Sequence, residues 1–173
     1  MIIEYNSTII IMLCNEFESG REKCCQYWKG KEYKETKNKN LIIRDIIISK
    51  YNIKRVITQI QYIGWPDHGI PNLNDAYKYF IYIIKFIINN YNNSPVVVHC
   101  SAGVGRTGTF ISIFNLVYEI ICKKNLDVIQ FSIFNTVRKL KEMRMFLVQN
   151  EEQYNFIYDF IKTFLEIYFE VKK

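Results

Sequence analysis

Cys100 and Arg106 are separated by five residues in HCSAGVGRTG, residues 99–108, between the apolar run Pro95-Val96-Val97-Val98 and the helix-like run that begins at Thr109. Three of the eight positions after the cysteine are glycine: Gly103, Gly105 and Gly108. Glycine permits a tight turn in which the backbone N–H groups of Ser101, Ala102, Gly103, Val104 and Gly105 converge on one anion, and the N-terminus of the following helix adds its positive dipole end. Arg106 supplies a planar fork that suits two phosphate oxygens at once. The same positive field favours a thiolate at Cys100, the nucleophilic form of the side chain. One short loop therefore combines a phosphate cradle with an activated nucleophile. A Gly-rich turn alone would explain the glycines but not the company of His99, Cys100, Arg106 and Thr107. No Gly-Lys-Ser/Thr triplet follows, which excludes a Walker-type loop, and the glycine spacing is wrong for a dinucleotide fingerprint.

A thiolate attacking phosphorus needs a proton for the departing oxygen. Asp67, in Trp65-Pro66-Asp67-His68-Gly69, lies in a Pro- and Gly-bearing loop after a strand, where a lid could deliver a carboxylic acid. On its own, Pro-Asp-x-Gly is a common turn; beside the cradle it reads as the general-acid loop.

These loops need a frame. Residues 8–14 form a β-branched run, residues 55–62 alternate as a strand does, and 95–99 is a continuous apolar run expected to be buried on both faces. Residues 29–40, lysine-rich and polar, and 63–74, with two prolines and two glycines, read as loops. Helical spacing covers 74–89, with Asn74 or Asp75 as candidate cap, and also 108–122, 127–143 and 151–168. The expected fold class is α/β (α+β), a twisted mixed sheet flanked by helices, in a single domain over 1–173.

Composition agrees with a globular domain: 173 residues, 49% hydrophobic and 16% aromatic. The net charge of +6 suits an acidic or phosphorylated partner, although such a surplus also serves solubility. Five cysteines, Cys14, Cys24, Cys25, Cys100 and Cys122, have neither disulfide-framework nor zinc-ligand spacing, which points to a reducing cytoplasm. The start lacks a basic n-region, and Lys85, Asn115 or Glu119 interrupts the longest apolar stretches, so neither a signal peptide nor a membrane span is read. The sequons at Asn6 and Asn92 are then chance matches in an asparagine-rich chain.

The chain closely resembles the catalytic domain of the classical, tyrosine-specific, cysteine-dependent protein phosphatases. His99 through Gly108 resembles their signature loop and Trp65-Pro66-Asp67 their acid loop. ESGREKCCQYW, residues 18–28, is similar to the family's glutamate-lysine loop, and RMFLVQNEEQY, residues 144–154, to its glutamine loop. The resemblance implies that Cys100 attacks phosphorus, Asp67 protonates the tyrosine oxygen, and Arg106 with the loop N–H groups stabilises the phosphoryl group. It further implies that Glu18 orients Arg106, Lys23 contacts the acid loop, Gln149 positions the hydrolytic water with help from Gln153, Thr107 eases sulfur departure and His99 tunes the thiolate through the loop. No metal or other cofactor is implied, and the partners are phosphotyrosine-containing proteins.

Two departures qualify the resemblance. The family's Asn-Arg-Tyr segment, which walls the phosphotyrosine slot, is not found, and Met1-Ile2-Ile3-Glu4 resembles an internal family stretch, so the N-terminal part of the usual domain reads as missing and exposed apolar surface is expected. His68 replaces a common aromatic, and bulky Phe146 stands at the rim. A truncated, catalytically poor phosphotyrosine-trapping module is the alternative. An RNA 5′-phosphatase is a third reading, disfavoured because no aromatic-basic stripe for nucleic acid is evident.

Overall fold

A computed structural model describes residues 2–50, 53–122 and 131–170. In chain order the elements are β1 (Ile9–Met12), β2 (Phe17–Glu18), β3 (Arg21–Glu22), β4 (Glu32–Asn38), β5 (Leu41–Lys50), β6 (Ile53–Tyr62), α1 (Leu73–Asn90), β7 (Val97–His99), α2 (Gly105–Cys122), α3 (Ile133–Met143) and α4 (Glu151–Glu170). Five strands form one mixed sheet in the order β4-β5-β6-β1-β7. β1, buried throughout, pairs in parallel with β6 on one side and with β7 on the other, while β4, β5 and β6 run antiparallel. With the four helices this is the expected α+β class.

The parallel centre is what places the site. β1 and β7 end side by side, Met12 opposite His99, and the Leu13 N–H donates to the His99 carbonyl at 2.8 Å. Both chains leave the sheet at the same edge, so the loops that follow them meet there, as ligand-binding loops do at the carboxyl ends of parallel strands. Behind the sheet, α1, α2 and α4 meet around Phe80, whose ring lies 5.1 Å from Phe110, 5.8 Å from Phe160 and 5.3 Å from Tyr62, centroid to centroid. Fully burying each such ring contributes about 1.5–3 kcal/mol.

Several boundaries differ from the pattern-based reading. Residues 29–40 are not all loop: β4 runs through Glu32–Asn38, every residue exposed, and pairs with β5. A fully exposed edge strand has no alternation to betray it. The periodicity argument leaves 41–50 without an element, yet these residues form the long β5. β7 is half-buried rather than buried on both faces, because it is the sheet's edge and pairs with β1 alone. An apolar groove of about 520 Å³ lies beside it, lined by Val96, Val98, Phe114 and Tyr118 among others. The α1 cap is Asn72, not Asn74 or Asp75: its side chain accepts from the Asp75 N–H at 3.2 Å. α3 starts at Ile133 behind Ser132, which accepts from the Asn135 N–H; residues 127–130 of the expected helix lie outside the described residues.

Candidate active site

The chain passes from β7 through Cys100 directly into α2, whose first residue is Gly105. Cys100 is 7% exposed, and its Sγ accepts a hydrogen bond from the Thr107 Oγ1 at 3.2 Å. Thr107 thus presents its hydroxyl to the sulfur rather than to solvent. Gly103 takes φ +70°, a left-handed conformation that L side chains rarely adopt, and its neighbour's carbonyl, Ala102 O, accepts from Arg144 Nη2 at 3.1 Å. Gly108 is required for a different reason. A Cβ there would lie 2.5 Å from the Val148 backbone nitrogen, so glycine lets the 144–149 loop rest directly on α2.

Arg106 is 9% exposed and reaches back across the cradle to Glu18, itself 7% exposed. Nη1 donates to Oε1 at 2.6 Å and Nη2 to Oε2 at 2.8 Å, the bidentate fork that fixes a guanidinium plane. Nη1 also donates to Leu13 O, and Nη2 to Pro66 O and more weakly to Asp67 O. Glu18 owes its position to a hairpin. Ser19 and Gly20, both at positive φ, make the two-residue turn between β2 and β3, and the Asn15 N–H donates to Glu18 Oε1 at 2.9 Å.

Asp67 faces Lys23, Oδ1 to Nζ 2.9 Å. Hydrogen bonding from Ser19, and then from Lys23, holds the Asp67 carboxyl well below the usual carboxylate range. The loop that carries it is anchored by Trp65, 2% exposed, whose ring packs on Phe80 and whose Nε1 donates to Gly69 O at 3.2 Å. His68 is almost wholly exposed beside it.

Across the cleft, Gln153 is buried and its Oε1 accepts from the Gln149 N–H at 2.9 Å, which leaves the exposed Gln149 side chain at the pocket. The preceding loop carries Phe146 and Val148 at positive φ, 66° and 59°; Phe146 projects into solvent, 67% exposed, and Val148 is buried. A cleft of about 450 Å³ is lined by Glu18, Lys23, Asp67, Cys100, Ser101, Ala102, Gly105, Arg106, Gln149 and Gln153.

Among the sequence-selected residues, His99, Gly103, Val104, Thr107 and Trp65 do not line this cleft. The His99 ring turns the other way: Nε2 meets Tyr27 Oη at 2.9 Å, and Nδ1 meets the Cys100 carbonyl at 3.1 Å. Its link to the thiol runs through the backbone. Burial lowers the His99 pKa, which favours the neutral ring. Sequence reasoning missed Tyr27, Arg44, Gln59, Gln61 and Arg144. Gln59 and Gln61 did leave a signal, two amides at alternate positions among Ile57, Ile60 and Tyr62, which must find partners if that end of the strand is buried.

The frame and the cleft define a protein with a thiol seated in an anion cradle at the end of a parallel strand pair, flanked by a carboxylate loop. The family model described as protein-tyrosine phosphatase matches residues 1–163. The chain belongs to that family. It is 34% identical to the tyrosine-protein phosphatase non-receptor type 20 of Rattus norvegicus, over 96% of this chain and 41% of that protein. It is 34% identical to the human receptor-type tyrosine-protein phosphatase eta, over 91% of this chain and 12% of the relative. It is 33% identical to the human receptor-type phosphatase alpha, over 97% and 22%. The chain thus spans less than half the length of these curated relatives.

Proposed function

We propose that this chain hydrolyses phosphotyrosine in proteins through a cysteinyl-phosphate. The observation that carries the reading is the buried, bidentate Glu18–Arg106 pair, which holds a guanidinium fork over a cradle whose first residue is a thiol hydrogen-bonded to Thr107. A phosphate seated there meets the guanidinium that Glu18 holds, the N–H groups of 101–105 and the N-terminus of α2 together.

In the first step the Cys100 thiolate attacks phosphorus, the bond from phosphorus to the tyrosyl oxygen breaks, and Asp67 gives its proton to that oxygen. In the second, water placed by Gln149, which Gln153 holds in position, attacks phosphorus. Asp67 takes a proton from this water, and the phosphorus–sulfur bond breaks with sulfur leaving as a thiolate that accepts a hydrogen bond from the Thr107 hydroxyl. Asp67 is ionised in the unliganded chain. The phosphate dianion entering beside it is the charge that raises its pKa and equips it as an acid. Lys23 keeps the carboxylate at hand until then. His99 acts on this site through the Cys100 carbonyl, and Trp65 through the anchorage of the acid loop.

The substrates are phosphotyrosyl proteins in a signalling setting, and five free cysteines support a cytoplasmic one. No helix among the described residues is long and apolar enough to cross a membrane. Hydrolysis of a phosphotyrosyl peptide by the 173-residue chain, beside Cys100→Ser and a phosphoseryl control, tests the reading. Turnover confined to phosphotyrosine and lost in the variant is the expected result. Equal release from both proteins would sink it, and peptide binding without turnover would replace hydrolysis by capture.

A further inference from the structure

Arg44 is 4% exposed and lies in the middle of the sheet, away from the cleft. It stands in register between two polar cross-strand partners, Glu35 on β4 and Gln59 on β6. Nε donates to Glu35 Oε2 at 2.6 Å, and Nη1 donates to Gln59 Oε1 at 2.7 Å and to Gln61 Oε1 at 2.8 Å. The guanidinium also lies 4.2 Å from the centroid of the Trp28 ring. An arginine has five donors and no acceptor, and it does not lose its proton in proteins. Both glutamine carbonyl oxygens must therefore turn towards it, and both amide NH₂ groups must turn away.

The consequence travels in one direction. Gln59 Nε2 donates to Tyr27 Oη at 2.5 Å, so the Tyr27 hydroxyl hydrogen is left for His99 Nε2, 2.9 Å off. Burial raises the Tyr27 pKa, so that hydrogen stays in place at neutral pH. Nε2 then accepts, the remaining ring proton sits on Nδ1, and Nδ1 donates to the carbonyl of Cys100 at 3.1 Å. Gln61 forms a second arm. Its Nε2 donates to Cys14 O at 2.9 Å, one residue beyond the Leu13 carbonyl that receives Arg106 Nη1.

We propose that Arg44 and Gln59 are positioning residues for the cysteine: a directional hydrogen-bond relay, Arg44 to Gln59 to Tyr27 to His99, sets the His99 tautomer and thereby fixes the backbone carbonyl of Cys100. The proposal rests on the phosphatase reading for its bearing on catalysis, and on hydrogen-bond geometry, with Tyr27 keeping its proton, for the relay.

Gln59→Glu tests it with almost no change of shape. The carboxylate still accepts from Arg44 but has no hydrogen to give Tyr27, so the Tyr27 hydroxyl turns to the new carboxylate and its oxygen faces His99 Nε2 as an acceptor. Nitrogen-15 NMR of the full chain reads the ring directly. There are two histidines, and His68→Asn assigns the other signal. The expected result is an Nδ1–H tautomer in the parent chain that becomes Nε2–H or doubly protonated in Gln59→Glu. With it, kcat on a phosphotyrosyl peptide falls about tenfold, the scale at which outer-shell partners act, while KM stays within a factor of about two. An unchanged His99 pattern, or a changed tautomer with unaltered kcat, overturns the proposal. If Gln59→Glu does not fold, Tyr27→Phe cuts the relay one link later and is expected to lose the single Nδ1–H pattern with a similar fall in kcat. No change there overturns it equally. A parent chain with the Nδ1–H tautomer but no turnover would leave the relay's geometry standing and refute the phosphatase reading.

Discussion

Two arginines, Arg106 and Arg44, are both buried and both carboxylate-paired, yet their surroundings differ in kind. Arg44 takes its polar partners across hydrogen-bonded strands: Glu35 and Gln59 are its ladder neighbours, and Gln61 is two residues further along β6. Arg106 takes its partners from separate loops, Glu18 at the β2–β3 hairpin, Leu13 just past β1 and the carbonyls of Pro66 and Asp67. Arg44 commits Nε and Nη1 to ladder residues, and its Nη2 lies 3.9 Å from Glu16 Oε1, away from the cleft. Arg106 has both Nη groups engaged, by the Glu18 carboxylate and by loop carbonyls, but it lines the cleft, where on the phosphatase reading an incoming phosphate would take its Nε–H and the place of the weak contact to Asp67 O. The same side chain organises a network inside the sheet in one frame and lines the candidate site in the other, and the elements that supply its acceptors make the difference.

The sharpest break with that comparison comes from the group Arg106 serves. Cys100→Ser is expected to abolish turnover, a loss on the order of 10⁴- to 10⁶-fold as for removal of a covalent nucleophile, while the fold and peptide binding survive; calorimetric binding alongside a phosphate-release assay checks both. Asp67→Asn is expected to lower kcat by about 10²–10⁴-fold with little change in KM, because it removes a proton donor and not the cradle. Arg106→Lys keeps a charge but loses the fork, and a fall in kcat/KM of about 10²–10³-fold is expected with a modest stability cost. Arg44→Met is expected to show the opposite balance. Unpairing two glutamine oxygens and Glu35 destabilises by about 2–5 kcal/mol in urea unfolding, while the chain that remains folded still binds phosphopeptide. Equal stability losses in the two arginine variants would erase the distinction drawn here.

The smallest expected effect concerns Lys23 and the Asp67 carboxyl. Its pKa is depressed in the folded chain, so the stabilisation is full above the unfolded carboxylate value of about 3.9 and is lost as pH falls through and below it. Lys23→Met should therefore lower the unfolding midpoint more at pH 7 than at pH 3. A gap that is the same at both pH values would show that the ion pair does not hold the loop.

Much of the site was legible because its chemistry is contiguous. Cys100, the cradle and Arg106 occupy one heptapeptide, and a glycine-rich strand-to-helix turn can fold in few ways. The hydrophobic periods likewise revealed β6, α1, α2 and α4, whose apolar faces exceed any local competition. β4 and β5 escaped for physical reasons. The residues of β4 are all exposed, so only pairing with β5 makes them a strand, and β5 breaks its own pattern by burying Arg44. The Asn72 cap was missed because Asn, Asn and Asp crowd the same turn, and which one caps depends on where the backbone enters the helix.

The sequence by itself determined the candidate reacting groups: a thiol, a guanidinium and a carboxylate, with the glycine-bearing turn read as a phosphate cradle, since those depend on side-chain identity and short-range backbone freedom. Only the tertiary structure decided how they are held. The bidentate grip of Glu18, the ion pair of Lys23 with Asp67 and the turn of His99 towards Tyr27 join residues 44 to 88 positions apart, and the hub at Arg44 joins strand neighbours 9 to 17 apart. Hydrogen bonds of that kind are written in three-dimensional register, which strand pairing and core packing set together and no local pattern records.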